Sequence, residues 1–347
     1  MKSKAIPQLC ILVLALGGKF VLSEDEDLIC RVQDAYEICH KKGVLVKVTQ
    51  RRNQDALEIS DLDLLSIKPG AFQDLTTTHL YLNQGNLISS LSPGSFGGLP
   101  KLTNLHLDGN PTTLVPNLFQ KVPGLTSLSL VFCSINDVPP GSFSGLKSLT
   151  WLYLNHNNIK RIKADAFSGI NPDLPYLWLD HNKIETIDQS AFAGRVGLNR
   201  LHLDFNQLTT IPDNCFNGLD QLEFLYLNDN HLKALSKGAL SGLGGLKKLM
   251  LNNNQITSIE PGAFQGMAQL KFLHLDGNKL ARLDNVFAGL TSLAELRLSN
   301  NEIGQVQDRV FQEMGALRSV YLDGNNVTKI DGKSAGLSTL AKVYFAP

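Results

Sequence analysis

The chain has 347 residues, of which 43% are hydrophobic and 18% are charged, so it carries enough apolar side chains for an ordered core. Lysine plus arginine equal aspartate plus glutamate at 32 each, and the formal net charge is zero. This balance excludes the strongly basic surface that attracts nucleic acid or an anionic membrane, and we expect no nucleic-acid partner.

The first 23 residues have the pattern of a secretory signal peptide. Two lysines precede an apolar run from Leu9 to Leu16, and small Ser23 precedes the acidic residues 24–27. The run is shorter than the roughly 20 residues that a membrane-spanning helix needs, and no later segment offers a second candidate. We therefore predict cleavage after Ser23, secretion to the extracellular space, and no membrane span.

Cleavage would remove Cys10 and leave four cysteines in an oxidising compartment. Cys30 and Cys39 are close enough in sequence to pair, and we predict a disulfide between them. It would hold an N-terminal cap over residues 24–52, in which the alternating apolar residues from Val44 to Val48 predict a capping strand.

Basic residues also cluster in this cap. Such a cluster could bind a heparin-like polyanion, but a solvated cap edge is the commoner role of a charge run, and we favour it. The cluster consists of Lys41, Lys42, Lys47, Arg51 and Arg52.

A repeat of about 24 residues fills the chain from residue 53 to residue 339, in about twelve copies. Its clearest copy, residues 149–167, reads LTWLYLNHNNIKRIKADAF. The second leucine of the pattern, or the valine that replaces it, recurs about every 23 to 25 residues, which is a solenoid period. It falls at Leu57, Leu80, Leu105, Leu128, Leu152, Leu177, Leu201, Leu225, Leu249, Leu273, Leu296 and Val320.

The spacing of apolar residues predicts the structure of one copy. Leu152 and Leu154 lie two residues apart, so they point to one face of a short strand while Tyr153 points to the other. Ile159 and Phe167 continue the buried side without the period of a strand. The buried row of a copy is therefore complete only when a neighbouring copy stacks on it.

The pattern L-x-x-L-x-L-x-x-N-x-I-x-x-I-x-x-x-A-F-x-G-L resembles the extracellular leucine-rich-repeat family, in its typical 24-residue subtype. The resemblance covers roughly four-fifths of the chain. It implies an α/β-type solenoid, a curved horseshoe with a parallel sheet on its concave face and an irregular or short-helical convex side.

The ninth position of most copies is asparagine, whose amide could satisfy the backbone where the chain turns into the core. Cys133 takes this place in the fourth copy, and Cys215 replaces the alanine before a buried phenylalanine. Three copies separate these cysteines, and at about 4.8 Å per stacked strand they lie more than roughly 10 Å apart. They cannot form a disulfide, and we predict two inert buried thiols.

The C-terminal end departs from the family pattern, which implies a cysteine-bearing cap. No cysteine follows Cys215, and residues 340–347 begin a further, incomplete repeat with a thirteenth strand near Val343. Because an open strand edge invites association, two alternatives follow. Either the chain is incomplete, or another copy or a different partner covers the uncapped end in a homo- or hetero-oligomer.

Aromatic residues concentrate on the open face of the predicted sheet. Only 7% of the chain is aromatic, yet both tryptophans and five of the seven tyrosines lie in the two outward-facing rows. Strand propensity alone could recruit them, but aromatic anchors are typical of protein-binding surfaces, and we favour binding of a protein or glycan. The predicted site comprises Trp151, Tyr153, Tyr176, Trp178, His202, Phe224, Tyr226, Phe272 and His274.

Polar residues follow the strands in a further row. They could receive calcium or a cationic ligand, although satisfying the adjacent backbone is the commoner role. His156 and His181 occupy equivalent places in neighbouring copies, with His202 one copy further, and three histidines could hold zinc. Since the repeat itself imposes that spacing, we predict no metal site and no cofactor. The polar row reads Asp108, Asn155, Asp180, Asp204, Asn228, Asn252, Asp276 and Asp323.

The sequence contains no H-E-x-x-H, no G-x-S-x-G and no phosphate loop, and we predict that the protein is not an enzyme. Asn326, in Asn-Val-Thr, is a glycosylation acceptor. The resemblance implies a secreted recognition protein of extracellular matrix, signalling or innate defence. The alternative is a non-catalytic subunit or inhibitor of a secreted enzyme.

Overall fold

The computed structural model describes residues 20–22 and 27–345. The predicted signal peptide, residues 1–23, therefore lies outside the described residues except for its segment Phe20–Leu22. In chain order the strands are β1 (Phe20–Leu22), β2 (Ile29–Gln33), β3 (Tyr36–Lys41), β4 (Val44–Gln50), β5 (Ala56–Glu58), β6 (Ser66–Ile67), β7 (His79–Tyr81), β8 (Asn104–His106), β9 (Ser127–Ser129), β10 (Trp151–Tyr153), β11 (Arg161–Ile162), β12 (Tyr176–Trp178), β13 (Thr186–Ile187), β14 (Arg200–His202), β15 (Phe224–Tyr226), β16 (Ala234–Leu235), β17 (Lys248–Met250), β18 (Ser258–Ile259), β19 (Phe272–His274), β20 (Arg282–Leu283), β21 (Glu295–Arg297), β22 (Gln305–Val306), β23 (Ser319–Tyr321) and β24 (Lys342–Tyr344).

One sheet of 13 strands runs through the described part of the chain, from β5 to β24, and forms the concave face of the solenoid. Each strand is parallel to its neighbours, and equivalent residues pair, as Leu152 does with Leu128 and Leu177. The middle residue of each strand up to β23 is buried, because the L-x-L alternation turns both leucines of a copy inward. The predicted parallel sheet is thus confirmed, and the thirteenth strand begins at Lys342, one residue before Val343.

The convex side is irregular. Turns alternate there with three two-stranded parallel pairs, β11–β13, β16–β18 and β20–β22. The short helices that the family pattern allowed are absent from residues 27–345. In most copies a phenylalanine enters the core from this side, and from Phe96 to Phe216 the rings of successive copies stack with centroids 5.7 to 6.4 Å apart.

A ladder of buried asparagines closes the turn after each concave strand. Asn182 is typical: its Nδ2 donates to the carbonyl oxygens of Leu154 (2.9 Å) and Leu179 (3.1 Å), and its Oδ1 accepts from the backbone N–H of Ile159 (3.1 Å). One side chain therefore satisfies backbone groups of two adjacent copies that would otherwise be buried unpaired. This is the role that the sequence predicts for the ninth position.

Cys133 and Cys215 are both free and buried, as predicted. The thiol of Cys133 occupies the asparagine place and lies 3.3 Å from the carbonyl oxygen of Leu107. Burial raises the pKa of each thiol to about 12. Since only the thiolate is nucleophilic, the reactive fraction at pH 8 is about one in ten thousand.

We therefore expect neither thiol to react with iodoacetamide in native buffer within an hour, whereas both react after unfolding in guanidinium chloride. Mass spectrometry of the intact protein, without reduction of the Cys30–Cys39 bond, gives the number of added groups. Addition of one or two groups to the native protein would contradict the buried, protonated state of these thiols.

The N-terminal cap is an antiparallel sheet of β2 to β4, to which β6 adds in parallel, whereas β1, which pairs with β2, lies within the predicted signal peptide. The predicted disulfide between Cys30 and Cys39 is present and joins β2 to β3. Buried Tyr36 ties the cap to the repeats, since its hydroxyl lies 2.7 Å from the Thr77 hydroxyl and 2.7 Å from the Gln54 carbonyl oxygen.

The capping strand departs from simple alternation. Leu45 and Val48 are its fully buried residues, whereas Val44 and Val46 are only partly buried. A register shift opposite Cys39 and His40 inserts an extra residue at this point and reverses the faces of the strand. The buried side of β4 therefore changes within the strand.

The basic residues of the cap are partly neutralised by nearby carboxylates. Lys42 lies 2.8 Å and Lys41 3.6 Å from Asp27, and Arg51 lies 3.0 Å from Glu37. Such exposed pairs are worth little in stability, but they reduce the local positive charge. This arrangement favours the solvated cap edge over a polyanion site.

Candidate functional site

The in-register pairing of the concave sheet aligns its outward residues in two rows. In the first row Trp151 lies beside Tyr176, and in the second row Tyr153 lies beside Trp178. Because the sheet is parallel and unshifted, each further copy adds one residue to each row at about 4.8 Å spacing. Aromatic residues of successive copies must therefore pack against each other.

The second row is a continuous stack of four rings. Tyr153 lies 4.4 Å from Trp178 between ring centroids, and Trp178 lies 5.5 Å from His202. His202 in turn lies 4.1 Å from Tyr226, and no pair is tilted by more than 20°. The predicted residues of copies five to eight are thus brought together in this row.

The first row contains a cation among its aromatic rings. Trp151 and Tyr176 stack at 4.2 Å, and Trp151 also approaches Trp178 of the second row at 5.6 Å. The Cζ atom of exposed Arg200 lies 4.5 Å from the centre of the Phe224 ring and 5.9 Å from that of Tyr176. Arg200 continues the row by cation–π contact.

Arg200 is absent from the predicted site because aromatic residues alone defined it, although its place in the row could have identified it. We define the aromatic patch as the eight residues of these two rows in copies five to eight. They are Trp151, Tyr153, Tyr176, Trp178, Arg200, His202, Phe224 and Tyr226.

Stacking determines which part of each ring a partner can reach. Inside the aromatic patch the faces of the rings are covered by their neighbours, so mainly the edges face solvent. At the N-terminal end of the patch the preceding strand carries only Ser127 and Ser129, which are buried. Trp151 and Tyr153 therefore stand at a step in the surface, and Trp151 is 37% exposed.

Phe272 and His274 do not join the aromatic patch. Lys248 and Met250 separate them from the rings of copy eight. Phe272 is 39% exposed, whereas His274 is largely buried with its Nε2 3.2 Å from the carboxylate of Glu295. Burial, followed by the nearby positive charge of Arg297, lowers the pKa of His274, so it is mainly neutral at pH 7.

The polar row lies beside the aromatic patch, and only some of its residues have all their buried oxygens hydrogen-bonded. Asp108 accepts hydrogen bonds from Ser129 and from the Val131 backbone N–H. Burial alone would raise the pKa of Asp108, but these bonds and the contact with His106 outweigh it and lower that pKa. In five other residues of the row the buried Oδ1 makes no hydrogen bond within the described chain, so this atom does not form the expected backbone contact there. They are Asn155, Asp180, Asp204, Asn252 and Asp276.

A second stack lies on the loops that follow strands β9 to β14. Phe132 and His156 are 4.4 Å apart, His156 and His181 4.3 Å, and His181 and Phe205 4.4 Å between ring centroids. We call these four residues the loop ridge. The two phenylalanines are exposed, at 61% for Phe132 and 44% for Phe205.

All four residues of the loop ridge have positive φ, between 51° and 56°. A bulky side chain in this region costs roughly 1 to 3 kcal/mol, and glycine, asparagine and aspartate tolerate it best. Other copies obey that preference, with Gly109, Asp229, Asn253, Gly277, Asn300 and Gly324 at the equivalent place. In the sequence the ridge is marked by four consecutive copies that have phenylalanine or histidine, instead of glycine, asparagine or aspartate, just before the ninth position. A search limited to strand residues does not examine this position.

The family model described as leucine rich repeat matches residues 55–111, 123–171, 172–232, 225–280 and 284–327. No curated protein is a significant match to the sequence. No helix within the described residues is long and apolar enough to cross a membrane.

Solved structures share the solenoid. A chain of the mouse RP105/MD-1 complex is 24% identical with a TM-score of 0.66, and the match covers 78% of this chain and 46% of that one. For the TLR13–ssRNA13 complex the identity is 25%, the TM-score 0.62, and the coverage 79% and 46%. In the octameric complex of Latrophilin 3, Unc5D and FLRT2, a chain is 23% identical with a TM-score of 0.59 and coverage of 81% and 79%. The match thus spans less than half of the first two chains.

Proposed function

Because the chain belongs to the leucine-rich-repeat family, we propose that it is a secreted binding protein that recognises a protein partner through the aromatic patch. The observation that carries this proposal is the uninterrupted stacking of the patch over copies five to eight, on an open face. The aromatic patch is contiguous and partly exposed, and such a surface marks an interaction site. Tryptophan, tyrosine and arginine are the residues that most often dominate binding energy. We assign the protein a recognition role in matrix, signalling or innate defence, and no catalysis.

The geometry of the rings favours a protein over a glycan or a nucleic acid. Sugars and unpaired bases bind aromatic side chains through the faces of the rings, and inside the patch those faces are already covered. The positive ring edges attract carbonyl and carboxylate oxygens, which a polypeptide supplies in quantity. The net charge of zero also gives a polyanion no long-range attraction.

Two of the similar structures support a protein partner. RP105 is in complex with MD-1, and FLRT2 is assembled with Latrophilin 3 and Unc5D. TLR13 is in complex with ssRNA13, so a nucleic-acid ligand is the competing case among the similar folds. The neutral charge and the covered ring faces count against that case here.

Secretion is part of the proposal and rests on the signal-peptide pattern of residues 1–23 and the Cys30–Cys39 bond, which is typical of oxidising compartments. The acceptor Asn326 is exposed, so we include glycosylation at this position.

The test begins with the intact protein as bait for partners in extracellular fluid, identified by mass spectrometry. We expect the Trp151→Ala, Trp178→Ala, Tyr226→Ala triple variant to bind the recovered partner at least about 100-fold more weakly by surface plasmon resonance. Three aromatic anchors at more than about 1 kcal/mol each account for this loss.

The matched control is the Tyr81→Ala, Tyr321→Ala variant, since both tyrosines lie in the second row but outside the patch. Its affinity should stay within about threefold of the unchanged protein, and circular dichroism should show that both variants are folded. Equal affinity of the triple variant would contradict the proposed site. A stoichiometric secreted enzyme as the recovered partner would instead support the role of an enzyme subunit or inhibitor.

A further inference from the structure

Two histidines and an aspartate converge at the centre of the loop ridge. One nitrogen each of His156 and His181 and one carboxylate oxygen of Asp180 all lie within 4.8 Å of one another. His181 Nδ1 is already 2.9 Å from Asp180 Oδ2. Among residues 20–22 and 27–345, this is the one group of three such side chains close enough to share an ion.

The group combines a buried anion with an accessible mouth. Asp180 is only 9% exposed, whereas His156 is half-buried and His181 is exposed. The second oxygen of Asp180, Oδ1, makes no hydrogen bond within the described chain. Oδ1 of Asn155 also makes no hydrogen bond, and Oδ1 of Asp204 lies 3.4 Å from His202 Nδ1, so what distinguishes Asp180 is the pair of imidazoles beside it.

Flanking phenylalanines restrict the movement of the two imidazole rings. Phe132 covers the outer face of His156, and Phe205 covers that of His181, each with centroids 4.4 Å apart. Side chains fixed by packing lose little conformational entropy on binding, and this favours the site. Both histidines thus have strained backbones at the place where the group of possible ligands forms. Asparagine or glycine, which other copies have at this place, would not supply the imidazoles.

We propose that His156, Asp180 and His181 form a binding site for a divalent transition-metal ion of the Zn²⁺ type. Imidazole nitrogen and carboxylate oxygen are ligands that Zn²⁺ prefers, and three protein ligands leave a fourth position open to solvent or to a partner side chain. Ca²⁺ requires six to eight oxygen ligands and does not suit this group. The ion replaces the proton between His181 and Asp180, and this proton passes to solvent. The His156 ring must tilt out of its stack with His181 for its nitrogen to reach the separation of roughly 3.3 Å that tetrahedral coordination needs.

This site differs from the three-histidine zinc site that we considered from the sequence and did not favour. His202 stacks between Trp178 and Tyr226 in the aromatic patch and lies outside the group. Asp180, from the polar row, is the third ligand instead. The pattern of histidines alone could not show this, because Asp180 turns toward its chain neighbour His181.

The experiment uses the full chain, prepared without a histidine tag, stripped with chelator and titrated with ZnCl₂ by calorimetry. We expect one Zn²⁺ per chain with a dissociation constant on the order of micromolar, and at least about tenfold weaker binding for His156→Asn and for His181→Asn. Asparagine is the chosen replacement because Asn253 and Asn300 adopt the same positive φ at the equivalent place. CoCl₂ should give the visible absorption of a tetrahedral nitrogen–oxygen site.

His231→Asn is the control, since His231 is an exposed histidine outside the group. It should bind Zn²⁺ as the unchanged protein does, and the melting temperatures of all variants should show retained folding. The proposal is overturned if the unchanged protein does not bind Zn²⁺, if both histidine variants bind it equally well, or if CaCl₂ binds with similar affinity.

Discussion

Replacement of Asn182 by alanine is expected to lower the free energy of unfolding by about 3 kcal/mol. The change leaves the carbonyl oxygens of Leu154 and Leu179 and the N–H of Ile159 without their partner in a buried turn. Each buried polar group without a hydrogen bond costs roughly 1 to 3 kcal/mol, and relaxation of the loop recovers part of the sum. Urea unfolding followed by circular dichroism measures the effect.

Two matched variants separate this cause from the loss of side-chain volume. Asn136→Ala changes an exposed asparagine and should alter stability by less than about 0.5 kcal/mol. Cys133→Ala removes the weaker donor that stands at the ninth position of copy four, and should cost about 1 kcal/mol. If Asn182→Ala is no more destabilising than Asn136→Ala, the asparagine ladder does not stabilise the solenoid as its geometry indicates.

The fold could be predicted from sequence because one physical rule repeats. The leucines of each copy are buried only when copies stack, so the positions of Leu152 and its equivalents define the strand, its neighbours and its register together. The same rule places Cys133 in the asparagine ladder and separates it from Cys215. Periodicity alone could not predict the reversal of faces in β4. The reversal comes from a β-bulge, and the residue types of the strand do not show where the extra residue of a bulge falls.

The candidate site could be predicted only in part. The repeat frame identifies which residues face outward. Where an aromatic stack ends depends on the side chains of the next copy, and Lys248 and Met250 separate Phe272 from the patch. Arg200 enters it through cation–π contacts, which its place in the row allows but a search for aromatic residues does not detect. The loop ridge depends on backbone dihedral angles, which a strand-centred pattern does not contain.

Replacement of Phe192 by alanine is expected to destabilise the protein by about 3 to 5 kcal/mol. Phe192 is 1% exposed, and its ring stacks on Phe167 at 6.1 Å and on Phe216 at 6.2 Å. Alanine removes the ring and leaves a cavity between copies, which the neighbouring copies cannot fill because their own hydrogen bonds hold them at a fixed spacing. The midpoint of urea unfolding should fall accordingly.

Two controls make the cause specific. Phe192→Leu should cost only about 1 to 1.5 kcal/mol, since copy eight already holds buried Leu240 at the equivalent place. Phe205→Ala removes an exposed ring of the loop ridge from a residue with positive φ, and should change stability by less than about 1 kcal/mol because lost stacking and added freedom oppose each other. A cost for Phe192→Ala as small as that for Phe205→Ala would mean that adjacent copies close the cavity. Stacking of the copies would then be deformable, and the fixed spacing on which the aromatic patch depends would lose its physical basis.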